Sequence, residues 1–241
     1  MTEIIPAILQ KNYEDLKNKI ALVRGIVDIV QVDICDGVFA NNLTWPFLSK
    51  ATNEDGEFLN NNFDQHFKNI LNEQEGMPFW EDIDFELDLM VINAVENFDI
   101  YTKLGPKRII FHLEAVGNLE SFQDFLEGLD MYIKDSIEIG VAMKPSTPTE
   151  KIFPLIPHIN FVQFMGNDKI AYQGVTLDEK VYEKIKTLRE KFADIPIGVD
   201  IGVNETTAPL LIKAGATKLS AGSAIFNSDD IMGTVERFRN L

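Results

Sequence analysis

The sequence is short of cysteine, histidine and positive charge. Its 241 residues include one cysteine and three histidines, and 22 lysines and arginines are outnumbered by 38 aspartates and glutamates, for a formal net charge of −16. The single Cys35 cannot form an intramolecular disulfide. Nucleic-acid phosphates and anionic membranes repel a surface this acidic. These shortages argue against a disulfide scaffold and against a nucleic-acid-binding protein.

Long apolar segments and export signals are also missing. No uninterrupted apolar run approaches the roughly 20 residues that a membrane helix needs. The first residues contain no basic region, and Pro6 interrupts their apolar run. We therefore expect no membrane partner and, with only one thiol, a cytoplasmic location. A chain that is 45% hydrophobic can still bury a large core without a structural metal.

Short runs of β-branched and apolar residues alternate with longer stretches of helical periodicity. The predicted strands are Ile4–Leu9, Ile29–Ile34, Phe85–Met90, Arg108–His112, Glu138–Met143, Phe161–Met165, Ile197–Val199 and Lys218–Ala221. The predicted helices are Tyr13–Arg24, Asp64–Glu73, Ala94–Leu104, Leu119–Lys134, Thr149–Leu155, Asp178–Phe192, Thr206–Ala214 and Asp230–Asn240. Repeated strand–helix units in a chain of about 250 residues predict an α/β fold, a single (β/α)8 TIM barrel, with a doubly wound open sheet as the alternative. We expect one domain over residues 1–241.

One predicted connection is longer than a regular barrel needs. Residues 43–84, between the second and third predicted strands, form an insertion rich in acidic and aromatic side chains. The aromatic residues predict that the segment packs. Because it follows a barrel strand, it is either a lid over the substrate face or an insertion that lengthens the helical layer or forms a subunit contact.

Three predicted strands carry an aspartate near their carboxyl ends, namely Asp33, Asp88 and Asp200. Each one alone is also typical of a turn or a helix cap. The carboxyl ends of barrel strands converge on one site, and carboxylates gathered in a partly buried cavity must share protons or bind a cation. The pattern therefore predicts metal-assisted proton transfer.

Small residues follow the last two predicted strands. Gly202 follows the seventh, and Gly222 and Ser223 follow the eighth. Barrel enzymes commonly bind phosphate at this position through backbone amides, although the same residues also suit a tight strand-to-helix turn. We expect a phosphate site here, because backbone amides would allow so acidic a protein to hold an anion.

The remaining polar candidates each have two interpretations. His112 ends the fourth predicted strand and either faces the site or has a hydrogen-bonded structural role, whereas His66 and His158 are expected to be structural or superficial. No two histidines have the spacing of metal ligands. Cys35 is expected to pack in the core because no activating histidine is near it in sequence. Lys144 is expected either to steer phosphate or to form an ion pair.

Seven segments, in the right order across nearly the whole chain, resemble the ribulose-phosphate 3-epimerase family. They are Pro6–Leu9, Val32–Gly37, Leu89–Met90, His112–Ala115, Lys144–Pro148, Val199–Val203 and Ala221–Phe226. The resemblance implies an enzyme that interconverts ribulose 5-phosphate and xylulose 5-phosphate through an enediolate, with Asp33 and Asp200 exchanging the C3 proton on opposite faces. It further implies that Met90 packs beside the intermediate, that Gln173 belongs to the substrate site and that the protein self-associates.

The chain departs from the family pattern at two of the positions that bind the metal. Gln31 and Asp88 occupy the positions of the two family histidines. The implied ligand set of Gln31, Asp33, Asp88 and Asp200 offers only oxygen donors, which favours Mg2+ or Mn2+ over Zn2+. A family serine is replaced by Ala7, and most of the family's glycine-rich loop after the sixth strand is replaced in residues 166–174.

Three functional hypotheses follow. The first is an epimerase that acts on a ketose phosphate. The alternative is a catalytically degenerate barrel that binds a sugar phosphate or a protein partner, motivated by the missing histidines and glycines. The third is a related decarboxylase, but the Asp-x-Lys-x-x-Asp motif of such enzymes lacks its lysine here, because Cys35 stands at that position.

Overall fold

A computed structural model describes residues 2–50 and 62–241. Within these residues, eight parallel strands pair in chain order and close into a barrel, with the last strand beside the first. The strands are β1 (Glu3–Ile8), β2 (Ile29–Cys35), β3 (Asp84–Met90), β4 (Arg108–His112), β5 (Glu138–Met143), β6 (Phe161–Met165), β7 (Ile197–Asp200) and β8 (Lys218–Ala221). The (β/α)8 barrel prediction is confirmed, and the open-sheet alternative is wrong.

The helices surround the barrel. They are α1 (Tyr13–Val23), α2 (Gln65–Leu71), α3 (Phe98–Thr102), α4 (Leu119–Gly128), α5 (Met131–Ser136), α6 (Lys180–Lys191), α7 (Ala208–Ala214), α8 (Ser223–Phe226) and α9 (Ile231–Arg239), with a 3-10 helix over Thr149–His158. In the described ranges, no helix has both the length and the apolar character needed to cross a membrane.

Two predicted helices have a different form in the structure. The predicted helix Leu119–Lys134 is divided into α4 and α5, because Leu129 is extended and the Asp130 side chain caps a new helix by accepting a hydrogen bond from the Tyr132 amide. The segment predicted as helix Thr149–Leu155 is 3-10 helical and contains Pro154 and Pro157, which cannot donate the backbone hydrogen bonds of a regular α-helix.

Alternation along the strands separates two apolar layers. Every residue of β2 is buried, which fits a parallel strand covered on both faces. Val30 and Val32 belong to the large cluster between strands and helices, whereas Cys35 belongs to a smaller cluster inside the barrel. Because side chains alternate with period two, Gln31 and Asp33 share the inward direction of Cys35. The barrel interior therefore receives the polar side chains of the strand.

Paired charges close the amino-terminal end of the barrel. Arg108 donates to Glu138 at 2.8 Å and lies 3.4 Å from Glu86. The Lys218 ammonium lies 3.7 Å from Glu86 and 3.5 Å from the centre of the Phe161 ring. With this end filled by ion pairs, the polar groups at the opposite, carboxyl end are the ones that a substrate can reach.

The insertion packs against the outer layer where it is described. Trp45, Phe63 and Phe67 are at most 4% exposed, and Trp45 packs on Phe67 with ring centres 5.6 Å apart. Trp80 is 62% exposed, so the prediction that the aromatic residues pack is wrong for this side chain. Some acidic and aromatic residues of the predicted insertion lie outside the described residues, namely Glu54, Asp55, Glu57 and Phe58.

Candidate active site

The structure brings the three strand-end aspartates together. Asp33, Asp88 and Asp200 are 7%, 0% and 6% exposed, and one carboxylate oxygen of each lies within 4.8 Å of the others. Asp33 and Asp88 are paired in register on β2 and β3, whereas Asp200 reaches them from β7. We call these three residues the acidic centre. Its position at the carboxyl ends of the strands is the one that the sequence predicted.

Backbone contacts hold two members of the acidic centre in place. The carbonyl of Asp33 accepts hydrogen bonds from Gln10 Nε2 at 2.9 Å and from Thr44 Oγ1 at 2.8 Å. The Oδ1 atom of Asp200 accepts a 2.7 Å hydrogen bond from the Ile201 amide. The first two bonds anchor the backbone of Asp33, and the third orients the Asp200 carboxylate.

Gln31 bridges the two aspartates. Its Nε2 atom donates to Asp33 Oδ1 at 2.8 Å and to Asp200 Oδ2 at 3.1 Å. Its Oε1 atom is buried and has no hydrogen-bond partner in the part of the chain that the structure describes. A half-rotation of the Gln31 side-chain amide would exchange its nitrogen and oxygen, so that Oε1 would face the Asp33 and Asp200 carboxylates. Three carboxylates and one unpartnered amide oxygen make a donor set that suits a divalent cation with a preference for oxygen.

Asp88 has its own polar neighbours. His112 Nε2 lies 2.7 Å from Asp88 Oδ1, and both side chains are fully buried. Gln163 Nε2 lies 3.5 Å from Asp88 Oδ2. His112 combines its two interpretations, because it is hydrogen-bonded and its partner belongs to the acidic centre. Gln163 was not among the residues predicted for the site, although a glutamine within the apolar run of β6 is a signal for an inward polar residue.

Burial and mutual repulsion raise the pKa of the clustered carboxyls. The pKa of Asp200 rises to about 7, mainly because the group is buried and also because of the charge of Asp88. The pKa of Asp33 lies well above its ordinary value because of burial and the charges of Asp200 and Asp88. Without a cation the centre therefore retains protons near neutral pH, and a bound cation would take their place.

A cavity beside the acidic centre is lined by all five residues predicted to bind the substrate, namely Met90, Gln173, Gly202, Gly222 and Ser223. Its volume is about 40 Å³, room for about three water molecules at the roughly 10–15 Å³ that each needs. Among the described residues, no lysine, arginine or histidine lines this central cavity. An anion bound there would therefore be held by backbone amides, a hydroxyl and an amide side chain.

The glycines of this cavity have specific steric roles. Gly202 has a φ of +74°, and a Cβ atom there would lie 2.6 Å from the Leu177 amide nitrogen. A Cβ atom at Gly222 would lie 3.1 Å from Gln173 Nε2, so the glutamine side chain rests directly on the glycine backbone. The preceding Ile201 adopts a φ of 73°, which is a strained conformation for a β-branched residue.

A second and wider cavity of about 630 Å³ adjoins the first and shares Tyr172 and Gln173 with it. Lys144 and Lys169 line this lysine cavity, and Lys144 Nζ stands 4.7 Å from the centre of the Phe39 ring. Within residues 2–50 and 62–241, neither lysine forms an ion pair, so the ion-pair interpretation of Lys144 is wrong.

The other candidates lie outside the acidic centre. His66 Nδ1 pairs with Glu75 at 2.9 Å, and His158 Nε2 lies 3.3 Å from Glu127, as expected for structural or superficial histidines. Cys35 is buried in the inner apolar cluster, which confirms its packing role.

The protein is a closed parallel barrel with clustered carboxylates and a cavity lined by small residues at its carboxyl end. This is the architecture of barrel enzymes, whose active sites lie at that end. The model of the Ribulose-phosphate 3 epimerase family matches residues 53–226, and the chain belongs to this family. The cytoplasmic isoform of ribulose-phosphate 3-epimerase from Oryza sativa subsp. japonica is 26% identical over 229 residues, 94% of this chain and 88% of that protein. Ribulose-phosphate 3-epimerase from Bacillus subtilis strain 168 is 26% identical over 246 residues, 99% of each chain.

Solved structures show the same fold. 3-Hexulose-6-phosphate synthase from Salmonella typhimurium superposes with a TM-score of 0.64 at 15% identity, over 100% of this chain and 97% of that one. At this identity the likeness shows the architecture alone. The resemblance to epimerases inferred from the seven sequence segments is confirmed by the family match.

Proposed function

We propose that the protein is a metal-dependent ketose-phosphate 3-epimerase that interconverts ribulose 5-phosphate and xylulose 5-phosphate. The observation that carries the proposal is the pair of buried carboxylates, Asp33 and Asp200, that reach one point from β2 and β7. Inversion at a carbon atom requires an acid and a base on opposite faces of the substrate. Two aspartates from different strands of the barrel would supply these two groups, one on each face.

In the proposed reaction, one aspartate removes the C3 proton and the other delivers a proton to the opposite face. The C3–H bond breaks, its electron pair moves towards the C2 carbonyl, and a new C3–H bond forms with inverted configuration. In the cation-free centre, burial and the charge of Asp88 raise the pKa of Asp200 to about 7. A bound cation would lower this pKa and keep the carboxylate ionised, so that it could accept the C3 proton. In the cation-free centre, Gln31 donates to both carboxylates.

The same site suits a divalent cation. Asp33, Asp88 and Asp200 would hold it, and Gln31 would complete the set after its amide group has turned. A bound cation supplies positive charge that stabilises the negative charge developing on the substrate oxygens. The donor set contains only oxygen atoms, which supports Mg2+ or Mn2+ rather than Zn2+.

The substrate's phosphate group is proposed to bind the backbone of Gly202 and Gly222 and the hydroxyl of Ser223, with Met90 and Gln173 beside the sugar. Lys169, at the edge of the adjoining lysine cavity, would contribute a positive charge.

The test uses NMR to measure the incorporation of solvent deuterium at C3 of ribulose 5-phosphate. Separate samples contain Mg2+, Mn2+ or Zn2+. We expect exchange together with formation of xylulose 5-phosphate, fastest with Mg2+ or Mn2+. Asp200→Asn should abolish it, whereas Asp229→Asn removes the same charge at an exposed position and should leave it unchanged. Absence of exchange with every metal would refute the proposal.

The replacement of the two family histidines by Gln31 and Asp88 favours one second candidate, a catalytically degenerate barrel that binds a sugar phosphate or a protein partner. This candidate predicts saturable binding of ribulose 5-phosphate by calorimetry, without deuterium exchange. It would be excluded by turnover that depends on Asp33 and Asp200.

Three expectations remain predictions. Self-association is testable by analytical ultracentrifugation, and the single domain over residues 1–241 by a single cooperative unfolding transition. The cytoplasmic location is testable by cell fractionation.

A further inference from the structure

The two oxygens of the Asp88 carboxylate have unequal partners among the described residues. Oδ1 is hydrogen-bonded to His112 Nε2 at 2.7 Å, whereas the one contact of Oδ2 there is long, 3.5 Å from Gln163 Nε2. The two oxygens are therefore unequal, because the first is engaged by a close donor and the second is left for the acidic centre.

Within residues 2–50 and 62–241, the His112 side chain makes no other hydrogen bond. Its Nδ1 atom is buried and has no partner among the described residues, and the Phe39 ring packs against the imidazole with ring centres 5.3 Å apart. The backbone of His112 is held within β4, which pairs with β5 at Ala142. Since the strand pairing does not need the imidazole, the polar function of this side chain is confined to Asp88.

We propose that His112 is a positioning residue of the acidic centre. Its Nε2–H group donates to Asp88 Oδ1 and fixes the rotation of the carboxylate, so that Oδ2 is presented to a divalent cation. The proposal rests on the proposed function, because it requires that Asp88 be a cation ligand. Residues that orient a ligand typically change metal affinity by about 10–100-fold when they are replaced.

Two polar substitutions separate positioning from simple packing. His112→Gln carries an amide nitrogen at about the distance of Nε2 along the side chain and retains a donor for Asp88. His112→Asn carries its amide nitrogen at the distance of Nδ1, too short to reach Asp88 Oδ1. Both variants fill a buried site with an amide, so a difference between them reports the position of the donor. His158→Gln provides the control at a histidine outside the acidic centre.

The experiment measures the dissociation constant of Mn2+ from the free-Mn2+ signal in electron paramagnetic resonance, well below the unfolding temperature of each variant. We expect about a 10–100-fold weaker affinity for His112→Asn, a change of less than about threefold for His112→Gln, and wild-type affinity for His158→Gln. Equal affinities for the two His112 variants would overturn the positioning role and leave the proposed function intact. A wild-type protein that binds no Mn2+ would overturn both.

Discussion

Replacing Asp200 with asparagine should stabilise the metal-free protein at alkaline pH, although the same change abolishes the proposed reaction. Burial and the charge of Asp88 raise the pKa of Asp200 from 3.8 to about 7. A shift of this size corresponds to about 4 kcal/mol, at roughly 1.36 kcal/mol per unit. This free energy opposes folding when the carboxyl is ionised, and asparagine cannot ionise.

The sign of the change in stability with pH follows from proton binding by the Asp200 carboxyl. A carboxyl whose pKa is higher in the folded state than in the unfolded state binds its proton more tightly after folding. Its contribution to stability is fully present below pH 3.8 and is lost as the pH rises through about 7. Between pH 5 and pH 8 the stability of the Asn variant relative to wild type should therefore increase by about 3 kcal/mol.

The assay is urea unfolding of both proteins in EDTA at intervals from pH 5 to pH 8, with Asp229→Asn as the control for loss of an exposed charge. The control should follow the wild-type curve. Parallel pH curves for wild type and Asp200→Asn would refute the reasoning, because they would mean that the Asp200 carboxyl has similar pKa values in the folded and unfolded states.

Three other perturbations test separate parts of the structure. Gly202→Ala places a Cβ atom 2.6 Å from the Leu177 amide nitrogen at a φ of +74°. It should lower the free energy of unfolding by about 1–3 kcal/mol, measured in urea. Unchanged stability would contradict this geometry. Arg108→Met removes one of the two cations beside the buried Glu86 carboxylate, while Lys218 remains 3.7 Å from it. It should lower the free energy of unfolding by about 1–3 kcal/mol, measured in urea, and a loss below about 1 kcal/mol would contradict the ion-pair role. Gln31→His replaces an oxygen donor with a nitrogen donor and should increase the Zn2+-to-Mn2+ affinity ratio by about tenfold or more; an unchanged ratio in competition titrations would argue against Gln31 as a ligand.

The fold was predictable from sequence because its strands are short, apolar and separated by helical periodicity. The run from Ile29 to Ile34 contains Gln31 and Asp33 at alternate positions, and the same alternation places both side chains inside the barrel. The convergence of Asp33, Asp88 and Asp200 also followed from topology, since the carboxyl ends of all eight strands meet at one end.

The partners inside the barrel were not predictable in the same way. His112 and Asp88 are 24 residues apart, and their contact depends on the register of β3 and β4, in which Asp88 pairs with Ile110. The orientation of the Gln31 amide depends on which carboxylates surround it, and Gln163 becomes part of the site only because β6 turns it inward. Such contacts join residues that are distant in sequence, so no local pattern marks them.

Charge balance links the acidic centre to substrate binding. The chain carries a net charge of −16, and the central cavity offers an anion no basic side chain among the residues that the structure describes. Ionised carboxylates of the centre would repel a sugar phosphate in the adjoining cavity. Retained protons reduce that repulsion, but they also remove the base that the proposed reaction needs. A divalent cation reduces the repulsion while leaving the carboxylates ionised, so the same cation would assist both phosphate binding and proton transfer.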